Sequence, residues 1–347
     1  MAFTMATRTC FALLAPLACL CVAAATLEGQ EPAGAARAAA ARWLDALDAK
    51  QRAACLHPLD SEERLDWHYT PRKRPGVRIG GLSELQRERL HELLGSVFDD
   101  AALHKLEQIR ELERVLFELE SRPGASATWR DADDYHVAVF GDPREQERWS
   151  WRFEGHHISL TVAGIGESVV GVTPQFLGAN PARGAAGSGA GVRVLEREED
   201  LARELLGSLD DAQRAKAVVA AELSGDIHSK PGQSVVAAGK LGLGAGEMNA
   251  DQRALVRGLV ELFAGRLRLP FGDPRRAGLL DGLEAARFVW IGSDEPGERC
   301  YWRLHVASSV FEFDNSQPGA NHVHTLWRDA ESDFGGARLE ESPVEVR

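Results

Sequence analysis

Residues 288–327 read FVWIGSDEPGERCYWRLHVASSVFEFDNSQPGANHVHTLW, in which four runs rich in aromatic and β-branched residues alternate with short polar connections. This composition is typical of β-strands. The connections at 292–298 and 307–309 are too short for crossover helices, so the stretch predicts an antiparallel meander. The four predicted strands cover residues 288–291, 301–306, 310–313 and 323–327.

The rest of the chain supplies further strands and several amphipathic helices. Strand-like runs occupy residues 135–140, 149–162 and 168–173. Apolar residues at three- and four-residue steps predict a helix over 100–120, and similar patterns predict helices over 195–206, 210–221 and 249–264. Helices and strands do not alternate regularly, which favours an α+β fold over a doubly wound sheet. We therefore predict an antiparallel sheet that carries the histidine motifs described below and is packed by several amphipathic helices.

Three predicted helices share one start signal, an N-cap residue followed three positions later by glutamine. In this capping box the cap side chain accepts a backbone N–H and the glutamine reaches back to the cap. The sequences that follow the three starts diverge, so we interpret the recurrence as capping and not as an internal repeat. The three pairs are Ser83 with Gln86, Asp210 with Gln213, and Asn249 with Gln252.

The first 25 residues are typical of a secretory signal. Arg8 precedes an apolar run at 11–24, and Ala23 and Ala25 offer a cleavage site before Thr26. The run is shorter than the roughly 20 residues that cross a bilayer, although a membrane anchor is the alternative. We predict a signal peptide at 1–25, an N-terminal helical and low-complexity segment at 26–60, and a single α+β domain at 61–347. The protein is expected to be secreted or periplasmic, without a stable membrane anchor after processing.

Charge and cysteine content exclude two classes of function. The formal net charge is −12 and Arg8 is the only charged residue of the signal, so the mature chain is near −13. Such a chain repels nucleic acid, and we expect no nucleic-acid partner. Cys55 and Cys300 remain after processing, which is neither a disulfide scaffold nor a zinc-finger spacing. A single bridge and two buried thiols both stay open.

Four of the eleven histidines fall into two clusters, EGHH at 154–157 and NHVH at 321–324. Side chains alternate along a strand, so His322 and His324 share a face, whereas only one of His156 and His157 can join them. Three imidazoles with an open position are the arrangement of a catalytic metal site. We predict a divalent transition metal, zinc or copper, bound by these histidines. We prefer His156 to His157, because His156 shares a face with Glu154, the candidate catalytic base.

Nearby carboxylates are expected to orient the imidazoles from a second layer. These candidates are Glu312, Asp314 and Asp329. Turn and salt-bridge roles are the alternative for each, and a buried hydrogen-bonded cluster without metal is the alternative for the whole site.

Three functions are compatible with such a site. The first is a metal-dependent hydrolase, in which the ion activates water and Glu154 moves the proton. The second is a copper- or iron-dependent oxidoreductase, since imidazole suits both metals. The third is a non-catalytic protein that binds a metal or a ligand. The motifs of serine hydrolases, phosphate loops and helical zinc proteases are absent from the sequence. The sequence therefore identifies neither the reaction nor the substrate, whether a small molecule or a polymer.

Several short motifs together resemble a known family. They are FGDP at 140–143, WxWRFEGHHISL at 149–160, PxFxGANP at 174–181, EFDN at 312–315, NHVHxxxRD at 321–329 and DFG at 333–335. In combination they resemble domain-of-unknown-function family 3500, a group of bacterial and fungal proteins. The resemblance implies that residues 67–335 form one family domain, and it supplies no reaction.

Overall fold

The computed structural model describes residues 32–121, 126–127, 129–184, 191–219, 222–235, 239–268 and 272–340. The predicted signal peptide and its cleavage site lie outside these residues. Within them, twelve strands form one sheet. The strands are β1 (Leu56–His57), β2 (Val77–Arg78), β3 (His136–Phe140), β4 (Arg148–Gly155), β5 (Ile158–Ile165), β6 (Ser168–Gly171), β7 (Gln175–Ala179), β8 (Leu243–Gly244), β9 (Arg287–Gly292), β10 (Cys300–Val306), β11 (Ser309–Asp314) and β12 (Val323–Asp329).

The helices flank this sheet in both halves of the chain. In chain order they are α1 (Pro32–Asp45), α2 (Ala49–Cys55), α3 (Glu84–Gly95), α4 (Asp100–Glu120), α5 (Glu196–Gly207), α6 (Asp211–Ala217), α7 (Ala250–Ala264), α8 (Gly272–Asp281) and α9 (Gly336–Glu340). The helix predicted over 100–120 is confirmed with its bounds, whereas α6 ends four residues before the predicted 221.

The predicted meander is confirmed, because β9, β10, β11 and β12 pair in that order, each antiparallel to the next. The α+β class is confirmed as well, since the sheet is mostly antiparallel and only β1 pairs with a neighbouring strand in parallel. One strand prediction is wrong. Residues 149–162 form two strands, β4 and β5, joined by a hairpin turn at His156 and His157.

Each predicted capping box is present, and a fourth one precedes α2. In all four, the cap side chain accepts the N–H of the third helical residue and the glutamine there accepts the N–H of the cap residue. The additional box joins Asp48 to Gln51.

The four boxes form two matching pairs, which corrects our interpretation of the recurrence. The amides of Gln51 and Gln86 hydrogen-bond each other, at 2.7 and 3.3 Å. Those of Gln213 and Gln252 do the same, at 2.9 Å in both directions. The chain therefore contains an internal repeat, in which α2 and α3 correspond to α6 and α7.

The sheet has the same two-fold arrangement. Its central order is β3-β4-β5-β7-β12-β11-β10-β9. Counted outward from the β7–β12 pair, each strand of the first half has a counterpart at the same place in the second half. After α2 the chain pairs in parallel with β3, and after α6 Val218 bridges in parallel to Trp290 of β9. Sequence comparison missed the repeat because a core keeps its fold through extensive substitution when the apolar pattern is retained.

The two faces of the sheet differ in chemistry. One face carries Trp151, Phe153, Trp302 and Phe313, which pack with the apolar sides of α4, α5 and α7 in the main core. The opposite face carries buried polar side chains and is covered by loops. They include Arg152, Glu154, Ser159, Arg303, Glu312, Asp314 and His324. This polar face holds the candidate site.

The N-terminal helices are part of the same unit. Trp43 of α1 and Cys55 of α2 are fully buried in the main core, and the described residues all belong to one compact unit. Cys55 and Cys300 are both free and buried. None of the helices in the described part of the chain has the length and hydropathy that a bilayer-spanning helix needs.

Candidate metal centre

His156 and His157 form the two-residue turn between β4 and β5. His157 has a φ of 63°, in the left-handed region, where histidine is one of the few enriched non-glycine residues. Its N–H donates to the carbonyl of Tyr69 at 2.9 Å, and its own carbonyl accepts the N–H of Gly178 at 2.8 Å. The two histidines therefore lie beyond the end of β4, where the alternation of a strand does not apply.

Three imidazoles converge on one point. The Nε2 atom of His157 lies 2.8 Å from Nε2 of His322, which in turn lies 3.0 Å from Nε2 of His324. Zinc–nitrogen bonds of 2.0–2.1 Å in a tetrahedral site place two nitrogens about 3.3 Å apart. These two separations thus need to grow by only a few tenths of an ångström for the rings to hold an ion. His322 and His324 share a face, as the sequence predicted.

The geometry favours His157 over His156 as the third ligand. His157 supplies the nitrogen that meets His322 and His324. The ring of His156 stacks on that of His157, with centroids 3.8 Å apart, and its Nδ1 faces Glu113 instead. The preference for His156 assumed a continuous strand, whereas the chain turns at these two residues.

An aspartate orients one of the three rings. Oδ1 of Asp226 lies 2.7 Å from Nδ1 of His324, and Oδ2 accepts the hydroxyl of Tyr69 at 2.8 Å. Burial opposes ionisation of Asp226, but the hydrogen bonds from His324 and Tyr69 outweigh it, so the pKa of this carboxyl is lowered. With Nδ1 of His324 donating, Nε2 carries the lone pair toward the cluster. A carboxylate behind a histidine is the usual second layer of a metal site.

The protein environment keeps two of the rings neutral. Burial, followed by the charges of neighbouring histidines, lowers the pKa of His157 well below its usual value. Burial and the charge of His324 lower the pKa of His322 to about 3. A neutral imidazole has a free lone pair, which is the form that binds a metal.

A glycine makes room for the rings. A Cβ atom at Gly178 would lie 2.7 Å from Cδ2 of His157 and 3.1 Å from Cδ2 of His324. Gly178 pairs with His324 across β7 and β12. The two rings therefore occupy the space that a side chain at residue 178 would need.

A second group of ligand-type atoms adjoins the first and shares His157 with it. It comprises Glu113, His156 and His157. Arg130 approaches Nδ1 of His156 at 3.1 Å and a Glu113 oxygen at 3.7 Å, and it also pairs with Glu120 at 2.8 Å. Because Arg130 already places a positive charge against this group, it suits a cation less well than the three-histidine cluster.

Glu154 does not have the place we predicted for it. Its carboxylate pairs with Arg74 at 3.1 Å and Arg152 at 3.2 Å, and accepts the hydroxyl of Ser159 and the N–H of His68. Among the described residues, neither group of converging ligand atoms includes it. With both oxygens engaged by donors, Glu154 fixes the 67–76 segment against β4 instead of serving as a base at the cluster.

Glu312 acts on the loop that carries Asp226. It is fully buried and accepts the N–H groups of His228 and Ser229, at 2.6 and 3.0 Å, and the hydroxyl of Tyr301 at 2.9 Å. It therefore supports the site through the loop and not through a hydrogen bond to an imidazole.

Asp314 lies directly opposite His324 in the β11–β12 pair. Its carboxylate accepts the hydroxyl of Ser316 at 2.6 Å and the N–H of the same residue at 3.1 Å. Burial raises the pKa of Asp314. The residue adjoins the cluster, but its hydrogen bonds close the turn after β11.

Asp329 lies at the far end of β12. It accepts the hydroxyls of Ser308 and Ser309 at 2.8 and 2.6 Å, together with two backbone N–H groups of the following turn. The turn role that we gave as the alternative is the one that the structure supports for Asp329.

Sequence reasoning missed two residues beside the cluster. Asp226 lies in an irregular loop without a local pattern, so no signal pointed to it. Glu113 did leave a signal, because it lies on the apolar stripe of α4 between Leu112 and Leu116 and is only 2% exposed. A carboxylate buried on an apolar stripe needs a polar partner, here His156.

The fold and the site together define an α+β protein whose antiparallel sheet carries a buried three-histidine cluster. The chain belongs to the family described as protein of unknown function, DUF3500, which matches residues 29–336. The resemblance drawn from the motifs is thereby confirmed, and the match includes α1 and α2 as well as the domain predicted from residue 61. No curated protein and no solved structure shows significant similarity to the chain.

Proposed function

We propose that the protein is a metal-dependent hydrolase whose divalent ion is held by His157, His322 and His324. The observation that carries this proposal is the convergence of three Nε2 atoms, with His324 oriented by Asp226. Sets of three histidines hold zinc in catalytic sites and leave a fourth position for water. The donors are all imidazole nitrogens, which suit zinc and copper alike.

Access to that fourth position supports catalysis over a purely structural role. His157 and His324 are buried at 2% and 4% exposure, whereas His322 is only half-buried. A substrate would therefore approach from the side of His322. A bound ion would lower the pKa of its water toward about 7 and polarise the bond to be cleaved. The chain contributes the neutral rings, the orientation of His324 and the exclusion of bulk water.

X-ray absorption at the metal edge tests this proposal. We expect three nitrogens and one exchangeable oxygen at about 2.0–2.2 Å in zinc-loaded protein, together with metal-dependent turnover of chromogenic esters or phosphates. Four protein ligands without an exchangeable oxygen would refute a hydrolase. A redox-active ion that cycles with oxygen or a reductant would instead assign the protein to the copper oxidoreductases.

We also propose that the protein is exported, on the basis of the signal-like residues 1–25. N-terminal sequencing of protein recovered from the periplasm or medium should begin near Thr26. Mature protein that begins at Met1 would contradict export.

A further inference from the structure

Arg303 is a buried arginine on the polar face of β10, and it is 9% exposed. Among the described residues, its Nε has no hydrogen-bond partner and its guanidinium forms no ion pair within 4.0 Å. A buried Nε–H without an acceptor is unfavourable, because its loss of hydration is not compensated.

The internal repeat provides a direct comparison, since Trp302-Arg303 corresponds to Trp151-Arg152. Each arginine lies three residues before the end of its strand, and each pairs across the hairpin with a polar residue. Nε of Arg152 pairs with Glu154 at 3.2 Å, and its NH1 donates to two carbonyls of the covering loop. The position that corresponds to Glu154 holds His305. The second half therefore has no carboxylate at that position, and Glu312, directly opposite Arg303 on β11, forms no ion pair with it within 4.0 Å.

Two further polar groups without a partner belong to residues whose backbone is held by Glu312, on the strand next to Arg303. Glu312, which faces Arg303 across β10 and β11, accepts the N–H groups of His228 and Ser229 and thereby holds both residues at this place. Nε2 of His228 and Oγ of Ser229 are buried, and neither has a hydrogen-bond partner in the part of the chain that the structure describes. The ring of His228 stacks on Tyr301, two residues before Arg303 on the same face, with centroids 4.3 Å apart.

We propose that Arg303, His228 and Ser229 form a binding site for an oxyanion group, such as a carboxylate, phosphate or sulfate. An oxyanion supplies the acceptors that all three donors lack and the negative charge that the first half obtains from Glu154. Glu312 offsets part of the charge of Arg303, so we expect a dissociation constant on the order of 1 mM. The site uses no metal ligand, and it is independent of the proposed hydrolase.

Thermal unfolding of the full chain tests the site. Wild type and Arg303→Met are compared in sodium sulfate and in sodium chloride at matched ionic strength. Sulfate stabilises proteins in general, so only the difference between the two proteins counts. At ten times the dissociation constant we expect the wild-type Tm to rise roughly 2–4 °C more than that of the variant. Without sulfate, the variant should unfold at the same temperature as wild type or higher.

One control and one further variant complete the experiment. Arg299→Met replaces an exposed arginine just before the same strand and should respond to sulfate as wild type does. Ser229→Ala removes one buried hydroxyl, and isothermal titration with sulfate should show several-fold weaker binding. Phosphate and acetate, titrated in parallel, distinguish the classes of oxyanion.

The outcome that overturns the site is equal sulfate dependence of Tm in wild type, Arg303→Met and Ser229→Ala. The unpaired donors would then be satisfied by buried water alone. Metal-free protein should bind sulfate as well as metal-loaded protein does. Loss of metal binding therefore leaves sulfate binding unchanged, so either proposal can be contradicted without the other.

Discussion

Oδ1 of Asp226 lies 2.7 Å from Nδ1 of His324, and this pair connects the loop around residue 226 to β12 at the centre of the sheet. The second oxygen of Asp226 accepts the hydroxyl of Tyr69, so a third segment is joined to the same carboxylate. Tyr69 in turn accepts the N–H of His157 through its backbone carbonyl. One carboxylate thus links two of the three candidate ligands, which lie 167 residues apart in the chain.

Replacement of Asp226 should weaken metal binding without unfolding the protein. In Asp226→Asn, the amide cannot accept from both His324 and Tyr69, and the negative charge behind His324 is lost. We expect zinc affinity to fall about 10- to 100-fold, as is usual when a carboxylate behind a histidine ligand is removed. Competition with a chromogenic chelator measures this loss. Asp60→Asn, at an exposed position, is the matched control. Equal affinities in the two variants would exclude a role of Asp226 in the site.

Addition of one methyl group at Gly178 should disturb the cluster directly. The new Cβ would lie 2.7 Å from the ring of His157, so at least one of the two rings must move. Gly178→Ala should lose most of its zinc affinity and about 1–3 kcal/mol of stability. Gly207→Ala is the control, because a Cβ there meets nothing within 4 Å. Urea unfolding and zinc titration measure both effects. A Gly178→Ala protein with unchanged zinc affinity would be inconsistent with the ring positions.

Glu312 should affect the metal site through the loop that it holds. In wild type, the Glu312 carboxylate accepts the backbone N–H groups of His228 and Ser229. In Glu312→Gln, the amide N–H₂ faces one of these N–H groups and cannot accept its hydrogen bond. We expect a loss of about 3 kcal/mol in the free energy of unfolding and a several-fold loss of zinc affinity. Glu331→Gln, at an exposed position, should change neither. A variant that loses stability as expected but keeps full zinc affinity would show that the loop does not affect the metal site.

His305 should make stability depend on pH. Burial and the charge of Arg303 lower its pKa to about 4, against about 6.5 in an unfolded chain. Between pH 4 and pH 6.5, His305 is protonated in the unfolded state and neutral in the folded state. The free energy of unfolding is therefore highest above pH 6.5 and falls as the pH falls toward 4. Wild type should lose about 2 kcal/mol more than His305→Gln between pH 7 and 4.5. Urea unfolding at several pH values measures this, with His104→Gln, an exposed site, as the control. Parallel curves for all three proteins would contradict the prediction.

Local patterns predicted most of the fold. The meander, the helix of residues Asp100–Glu120 and the three capping boxes each depend on contacts within about twenty residues along the chain, which sequence periodicity reports directly. The same holds for His322 and His324, whose shared face follows from alternation along one strand.

The rest depended on long-range packing. His157 enters the cluster because the chain turns back at a left-handed residue, and no apolar period marks such a turn. Asp226 reaches His324 across 98 residues from an irregular loop. The internal repeat is preserved in paired glutamine amides and strand order, whereas the sequences between them have diverged.

Elemental analysis of protein purified without chelator tests the central claim most directly. We expect about one zinc or copper ion per chain in wild type, and none in the double variant His322→Ala and His324→Ala. His157→Asn should also lose the ion, since asparagine tolerates the left-handed backbone but leaves the cluster one imidazole short. His156→Asn, one residue away, should retain it. A wild-type protein without any transition metal, even after incubation with micromolar zinc and copper, would contradict the account, as would loss of the ion in His156→Asn and its retention in His157→Asn.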